Sequence, residues 1–275
     1  MSARDILTAM DDLKFSVQLA RDTGQLLLEH FNPHGSSSKL KSDQSVITEA
    51  DLAADRLIAD AIQKNYPDDS LISEELCPLY DPAETDQPDG VWVVDPLDGT
   101  TNFSLGLPIW GISIARLVNG WPDIGVLYFP IFDELYSARR GSGARLNGEP
   151  LHVSPLNKNS KTSFFSSCSR TYRLYEVGIR FKPRILGSAA YTFCAVARGI
   201  AILGFEATPK IWDIAAGWLL VTEARGSVAG FDPQDQPFPL VAKEDYRQKI
   251  YPTIIAASSH LLNTARQQLK PKSEQ

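Results

Sequence analysis

One segment constrains this chain more than any other, because an apolar strand pattern in it runs directly into acidic residues. Residues Val91–Val94 predict a short buried strand, and Asp95–Gly99 follow with no break between them. An Asp-Gly pair alone indicates only a turn. A carboxylate at the end of a buried strand, however, is unfavourable unless it is paired or bound to a cation. The segment therefore predicts a strand end that carries functional side chains.

Helical and strand patterns are mixed along the chain, which predicts an α+β fold of packed layers. Apolar spacing predicts two helices before Pro67, and alternation then predicts an antiparallel sheet with hairpin turns at Asn119-Gly120 and Asn147-Gly148. We expect two halves. Residues 1–150 hold the N-terminal helices, the antiparallel sheet and most of the acidic candidates, and residues 151–275 form an α/β half that completes the site.

Composition excludes several classes of protein. Lys and Arg total 27 against 33 Asp and Glu, a net charge of −6, and no basic block is present, so we expect no nucleic-acid partner. No apolar window reaches the ~20 residues needed to span a bilayer, and the N-terminus does not resemble a secretory signal. The 3 cysteines show no CxxC spacing, which is typical of a reduced protein. We therefore expect a soluble cytoplasmic protein with no membrane partner.

Further acidic residues lie at the predicted ends of other elements. Glu74 follows an apolar strand pattern, Asp213 precedes a helical pattern, and Asp51 lies three residues after Thr48. Each has an ordinary interpretation: solvated surface for Glu74, a helix N-cap for Asp213 and a capping box for Asp51. Together with the acidic residues after Val94, they form a carboxylate set without neighbouring histidine or cysteine. Such a set favours Mg²⁺ or Mn²⁺ over zinc.

The motifs of several large enzyme classes are absent from the sequence. There is no GxSxG elbow, no Walker glycine loop and no GxGxxG after a strand. These absences argue against serine hydrolases, NTPases and dinucleotide-dependent enzymes.

Five segments resemble motifs of the inositol monophosphatase family of metal-dependent phosphatases. Trp92–Phe103 is similar to its first signature, WxxDPLDGTTNF, and Trp212–Ala224 is similar to its second, WDxAAGxLLVxEA. Val46–Asp51 resembles the VTEAD helix start, Ser73–Glu75 resembles GEE, and Gly187–Ala190 matches GSAA. The motifs occur in the family's order and with similar spacing, so the resemblance covers nearly the whole chain.

This resemblance implies a layered α-β-α-β-α fold and a Mg²⁺-dependent, lithium-sensitive phosphomonoesterase that forms a dimer, with Mn²⁺ as a possible substitute. Its implied substrate is a small phosphorylated metabolite, inositol monophosphate. The implied ligands of a first metal ion are Glu74, Asp95 and the carbonyl of Leu97. The implied ligands of a second are Asp95, Asp98 and Asp213, and Glu74 would help to hold a third.

The resemblance also implies catalytic and substrate-binding residues. The implied catalytic residues are Thr100, Asp51 and Glu74. The implied substrate contacts are Asp98, Gly99, Thr100, Gly187, Ser188, Ala189 and Glu206. A phosphate monoester resists attack by an anion, and two cations about 3.5–4 Å apart would offset that repulsion. Thr100 is too weak an acid to act alone, so we expect it to orient water while Asp51, with Glu74, accepts the proton.

Related activities remain open on the sequence alone. A histidinol-phosphate, 3′(2′),5′-bisphosphate nucleotide or fructose-1,6-bisphosphate phosphatase would keep the same metal ligands, and a regulatory protein could keep the fold. The chain departs from the family pattern at Ser73 and Arg225, which replace glycines, and its 171–184 segment is shorter than usual. Because that segment borders the substrate pocket in the family, we expect it to influence which substrate is used.

Overall fold

The computed structural model describes residues 3–40, 46–75, 90–153, 163–241 and 244–272, with side chains from residue 12 onward except those of Leu40 and Val46. Cys77 lies outside these ranges. Within them, no helix combines the length and the apolar character that crossing a bilayer requires.

The elements alternate in type along the chain, as the mixed sequence pattern predicts. The helices of the described ranges are α1 (Ala3–His30), α2 (Glu49–Asn65), α3 (Thr100–Ser104), α4 (Thr171–Leu174), α5 (Ala189–Ala197), α6 (Ile211–Glu223) and α7 (Ser259–Gln268). The strands are β1 (Lys39–Leu40), β2 (Val46–Ile47), β3 (Ser70–Ser73), β4 (Val91–Asp98), β5 (Gly111–Val118), β6 (Trp121–Phe129), β7 (Glu134–Arg139), β8 (Gly143–Leu146), β9 (Glu149–Leu151), β10 (Phe164–Ser167), β11 (Tyr175–Val177), β12 (Lys182–Arg184), β13 (Ala201–Glu206), β14 (Ser227–Gly230), β15 (Thr253–Ala256) and β16 (Leu269–Pro271).

The described strands form two main sheets. The larger has seven strands in the order β3-β4-β5-β6-β7-β8-β9, in which β3 and β4 are parallel and the others antiparallel. Both residues of the Asn119-Gly120 and Asn147-Gly148 turns have positive φ, as the predicted hairpins require. The smaller sheet has the order β12-β10-β13-β15-β14. Two short ribbons, β1-β2 and β11-β16, lie outside both sheets.

Three clusters of buried apolar side chains separate the layers. The first, which includes Trp92, lies between the α1–α2 pair and the seven-stranded sheet. The second, which includes Phe193, fills the space between the two sheets around α5 and α6. The third, which includes Leu262, lies between the five-stranded sheet and α7. The order is therefore helices, sheet, helices, sheet, helix, and the predicted α-β-α-β-α layering is confirmed.

Helix α6 is packed closely on both of its neighbours. A Cβ built on Gly217 would lie 2.4 Å from Cγ of Phe193 in α5, so only glycine fits there without displacement. A Cβ on Gly125 of β6 would lie 2.8 Å from the carbonyl oxygen of Ala216. These approaches fix the position of α6, and hence of the acidic residue in its first turn, against the seven-stranded sheet.

Candidate active site

The parallel pairing of β3 and β4 brings two acidic residues to one edge of the sheet. Glu74 directly follows β3, and its N–H donates to the carbonyl of Val94 at 3.2 Å. Asp95 lies opposite Ser113 of β5, and its Oδ1 accepts from the N–H of Leu97 at 3.0 Å. Strand β4 extends beyond the predicted end at Val94, with a register shift between Asp95 and Asp98. A proline, which cannot donate to the ladder, lies within that shift.

A third acidic residue comes from the second half of the chain. Asp213 lies in the first turn of α6, and its Oδ2 accepts from the N–H of Lys210 at 2.7 Å. The interpretation of Asp213 as the N-cap is wrong, because the helix begins at Ile211 and Asp213 is its third residue. The hydroxyl of Ser113 donates to the carbonyl of Trp212 at 3.2 Å. This bond joins β5 to the start of α6 beside Asp95.

The three acidic residues form a compact cluster. One carboxylate oxygen from each of Glu74, Asp95 and Asp213 lies within 4.8 Å of the other two. Burial raises the pKa of Asp95 and of Asp213 well above the ordinary value, and repulsion from Glu74 and Asp98 raises both further. Because ionised carboxylates at this separation repel each other, the arrangement calls for protons or a cation. An all-oxygen donor set fits a hard cation such as Mg²⁺.

Asp98 is held by a different partner, the start of α5. Its two oxygens accept from the hydroxyl of Ser188 and from the N–H of Ala189, the latter at 3.0 Å. The Ser188 hydroxyl also caps α5 by accepting from the N–H of Tyr191 at 3.0 Å. Burial raises the pKa of Asp98 to about 6, although these hydrogen bonds lower it. Asp98 therefore lies beside two of the predicted substrate contacts.

Thr100 and Asp51 form a hydrogen-bonded pair across two helices. The Thr100 hydroxyl lies 2.9 Å from Oδ1 of Asp51 and 3.0 Å from the carbonyl oxygen of Leu97. Oδ2 of Asp51 accepts from the N–H and the hydroxyl of Thr48, at 2.7 and 2.5 Å, and the predicted capping box is confirmed. Burial raises the pKa of Asp51 despite these bonds. The same carboxylate thus caps α2 and faces Thr100.

Two glycines allow the backbone to approach closely at this site. Gly99 has φ +89°, and a Cβ there would lie 2.9 Å from the carbonyl of Ile109. Gly187 has φ +76°, and a Cβ there would lie 2.7 Å from the side chain of Asn102. The Asn102 amide donates to the carbonyls of Ile109 and Leu186, at 2.7 and 2.9 Å. Sequence reasoning did not single out Asn102, whose only signal is its place in the first signature.

A cavity of about 390 Å³ opens beside these groups. Its lining includes Asp213 and four predicted substrate contacts, Gly187, Ser188, Ala189 and Glu206. Glu206 ends β13, and burial raises its pKa to about 8. Sequence reasoning missed another part of the lining, since it belongs to no motif. We call this lining the outer wall; it consists of Ser167, Cys168, Ser169, Arg170, Ile185 and Thr208.

The chain is similar to known proteins in sequence and in fold. The model of the inositol monophosphatase family matches residues 10–270. A protein of Thermotoga maritima named fructose-1,6-bisphosphatase/inositol-1-monophosphatase is 36% identical over 233 residues, 82% of this chain and 87% of the relative. The Nus factor SuhB of Escherichia coli is 38% identical over 230 residues, 80% of this chain and 85% of the relative.

A solved structure has the same fold. The Thermotoga maritima IMPase aligns with a TM-score of 0.75 and 31% identity, over 94% of this chain and 96% of that one. The family match covers more than nine-tenths of the chain, and the relatives align over nearly their full lengths. On this evidence, the chain belongs to the inositol monophosphatase family.

Proposed function

We propose that this protein is a Mg²⁺-dependent phosphomonoesterase that hydrolyses inositol monophosphate to inositol and phosphate. The observation that carries the proposal is the cluster of Glu74, Asp95 and Asp213, three carboxylates from separate elements within 4.8 Å of one another. The family match and the name of the Thermotoga maritima relative support a phosphatase of this kind. We also propose, from family resemblance, a lithium-sensitive cytoplasmic homodimer.

The proposed metal ligands are the carboxylates of the cluster together with Asp98 and the carbonyl of Leu97. Their all-oxygen chemistry suits Mg²⁺, with Mn²⁺ as a substitute. When bound, Mg²⁺ supplies the positive charge that offsets repulsion between the phosphate and the attacking oxygen. The main-chain donors to Asp95 and Asp213 hold both side chains in place before any ion arrives.

Thr100 and Asp51 have the geometry to guide the attacking water. A hydroxyl has one proton and two lone pairs, so Thr100 can accept from water while it donates to Asp51. As the water oxygen bonds to phosphorus, one of its protons passes through Thr100 to Asp51. The ester P–O bond breaks, and the leaving alkoxide takes a proton from solvent to become the alcohol. The raised pKa of Asp51 makes it a better proton acceptor, and we assign Glu74 a share of this role.

The substrate would lie between the metal ligands and the cavity wall. We assign the phosphate to the amides of Gly99 and Thr100, and the ring hydroxyls to Glu206 and the Gly187–Ala189 segment. Because burial raises the pKa of Glu206 to about 8, this residue is mostly protonated near neutral pH. It would then donate a hydrogen bond to a hydroxyl of the substrate.

A second candidate is a regulatory role without turnover. It is favoured by one observation, that a relative with 38% identity is named as a Nus factor and not as an enzyme. The proposed metal-binding carboxylates are all present here, and a protein used only for binding would be free to lose them. We therefore place hydrolysis first.

The test is phosphate release from inositol 1-phosphate, with Mg²⁺ or with EDTA. Histidinol phosphate, adenosine 3′,5′-bisphosphate and fructose 1,6-bisphosphate complete the panel. We expect Mg²⁺-dependent turnover that Asp213→Asn abolishes and that Asp60→Asn, a change at an exposed position of α2, leaves intact. Absence of turnover on every ester, by folded protein with Mg²⁺, would reject hydrolysis and favour the regulatory role.

A further inference from the structure

We infer that Thr192, supported by Ser166, is a positioning residue that holds Glu206 in place for the hydroxyl groups of the substrate. This inference rests on the proposed phosphatase function and deepens it, because it names buried side chains that decide how tightly a polyol is bound. Neither Thr192 nor Ser166 is among the described residues that line the cavity, so both would act through Glu206.

The packing of α5 on the five-stranded sheet brings Thr192 to the face of β13 that carries Glu206. Successive side chains of a strand point to opposite faces, so Gly204 and Glu206 share one face of β13. That face meets α5, because a Cβ built on Gly204 would lie 2.6 Å from Cγ2 of Thr192. Ser166 of β10 is the register partner of Gly204. The glycine therefore lets Thr192 approach the sheet beside Ser166.

The side chains of Ser166, Thr192 and Glu206 form a continuous hydrogen-bonded chain inside the protein. The hydroxyl oxygens of Ser166 and Thr192 lie 2.9 Å apart. Thr192 also forms a side-chain hydrogen bond with Glu206, and so does Cys168, the residue that follows β10. Ser166, Thr192 and Glu206 are all buried, so water competes little for these bonds.

The direction of these bonds follows from their effect on Glu206. Burial raises the pKa of Glu206 to about 8, and the bonds with Thr192 and Cys168 oppose that rise, so both side chains donate to the carboxyl group. A hydroxyl has one proton and two lone pairs, so Thr192 can accept from Ser166 while it donates. The carbonyl of Ser188, another acceptor for the Thr192 proton, is 3.3 Å away. Two donors from different elements thus restrict rotation of the Glu206 carboxyl group.

This restriction would matter for binding because Glu206 lines the cavity. A glutamate side chain loses rotamer freedom when a ligand fixes it, and a side chain already fixed by its neighbours loses less. Loss of the Thr192 hydroxyl would therefore weaken the contact between Glu206 and the substrate hydroxyls. Binding of the phosphate group at the carboxylate cluster would be unaffected.

The experiment compares KM for inositol 1-phosphate with the inhibition constant of inorganic phosphate, which has no polyol ring. Thr192→Val replaces the hydroxyl with a methyl group, Thr192→Ser keeps the hydroxyl, and Glu206→Ala removes the carboxyl group. The matched control is Thr222→Val. Thr222 is an exposed residue of α6 whose hydroxyl, like that of Thr192, approaches the carbonyl four residues earlier.

We expect Thr192→Val to raise KM for inositol 1-phosphate by about five- to tenfold, as loss of one hydrogen bond predicts. The kcat and the inhibition constant of phosphate should change by less than about twofold. Thr192→Ser should restore most of the affinity, and Thr222→Val should have no effect. In the Glu206→Ala background, Thr192→Val should raise KM no further. An unchanged KM, a parallel rise in both constants or an additive double variant would overturn the inference.

Protein stability separates this inference from the proposed function, because its measurement needs no turnover. If the wild type hydrolyses no ester, hydrolysis is rejected, and denaturant unfolding still tests the bond between Thr192 and Glu206. Thr192→Val should lower the free energy of unfolding more in the wild type than in Glu206→Ala, where the hydroxyl has already lost its partner. Equal losses in the two backgrounds would reject the bond and the inference with it.

Discussion

The two sides of the candidate site are built differently. On the acidic side, which includes Glu74, main-chain N–H groups donate to the carboxylates of Asp51, Asp95, Asp98 and Asp213. Asp51 is 1% exposed and Asp95 is 2% exposed. On the outer wall, Ile185 is 54% exposed, and the side chain of Arg170 donates one hydrogen bond among the described residues, to Thr208.

This difference indicates where chemistry and selectivity reside. Groups that must lie within a fraction of an ångström of a reacting phosphate need rigid elements and fixed donors, which β4, α2 and α6 provide. Groups that choose among substrates can lie on loops, where substitutions are tolerated. We therefore expect changes on the acidic side to reduce hydrolysis of every substrate, and changes on the outer wall to alter the order of preference.

Asp95→Asn should have the largest effect. We expect activity to fall by about a thousandfold or more for every ester, because the change would remove the negative charge of a proposed Mg²⁺ ligand. The metal-free variant should be more stable than the wild type near neutral pH, because a buried, repelled carboxylate has become a neutral amide. Phosphate release and chemical denaturation in EDTA measure the two effects. A variant with activity within tenfold of wild type would show that Asp95 is not an essential metal ligand.

Thr100→Ala should lower kcat by about a hundredfold with little change in KM, because it removes the hydroxyl between water and Asp51. Thr100→Ser keeps the hydroxyl and should restore most of the activity. Steady-state kinetics on inositol 1-phosphate distinguish the outcomes. A change confined to KM would mean that Thr100 binds phosphate and does not orient water.

The sequence predicts the acidic side well, and the reason is local. Asp95, Asp98 and Thr100 follow one buried strand within a few residues, so their proximity is set by the chain itself. The capping-box spacing places Asp51 at a helix start, and the close pairing of that helix with the sheet brings it to Thr100. The sequence alone does not place Asp213, because its proximity to Asp95 follows only from the packing of α6 on β5.

The sequence predicts the outer wall poorly, since its parts are distant in the chain and lack a motif. Arg170 and Thr208 are 38 residues apart, and their contact depends on the pairing of β10 with β13. The C-terminal elements β14 to β16 and α7 gave no pattern from which we predicted them. The departure at Ser73 also had no explanation in the sequence, because its partner, Asp55, lies 18 residues earlier.

The bond from Ser73 to Asp55 predicts a positioning effect on the acidic side. The Ser73 hydroxyl donates to Oδ1 of the buried Asp55 and so joins the residue before Glu74 to α2, one turn from Asp51. We expect Ser73→Ala to raise the Mg²⁺ concentration for half-maximal activity by about tenfold, with the substrate KM unchanged. Calorimetric Mg²⁺ binding should weaken to the same extent.

The matched control is Ser70→Ala, at the other end of β3, which should leave the Mg²⁺ requirement unchanged. Ser73→Gly introduces the residue usual in the family and should behave like Ser73→Ala if the hydroxyl matters. An unchanged Mg²⁺ affinity in both Ser73 variants would show that this hydrogen bond contributes to folding and not to Mg²⁺ binding.

The last prediction concerns stability in EDTA. Burial raises the pKa of Asp98 to about 6 and of Glu206 to about 8, above about 4 for such groups in an unfolded chain. At pH values between the unfolded-state pKa and the folded-state pKa of either group, the folded state binds more protons than the unfolded state. The free energy of unfolding should therefore fall as pH rises from about 4 to 8, by about 1.4 kcal/mol per pH unit for each such group.

Mg²⁺ should separate the two groups, because Asp98 is a proposed ligand and Glu206 is not. With Mg²⁺, the free energy of unfolding should decrease less between about pH 4 and 6, since a cation replaces the protons on the acidic side. The decrease in the free energy of unfolding between about pH 6 and 8 should persist with Mg²⁺. It should disappear in the Glu206→Gln variant. Denaturant titrations over this pH range, with Asp60→Asn as the control, measure both intervals. If Mg²⁺ reduced the pH dependence of the unfolding free energy equally in both intervals, Glu206 would be grouped with the metal ligands of the acidic side and not with the cavity wall.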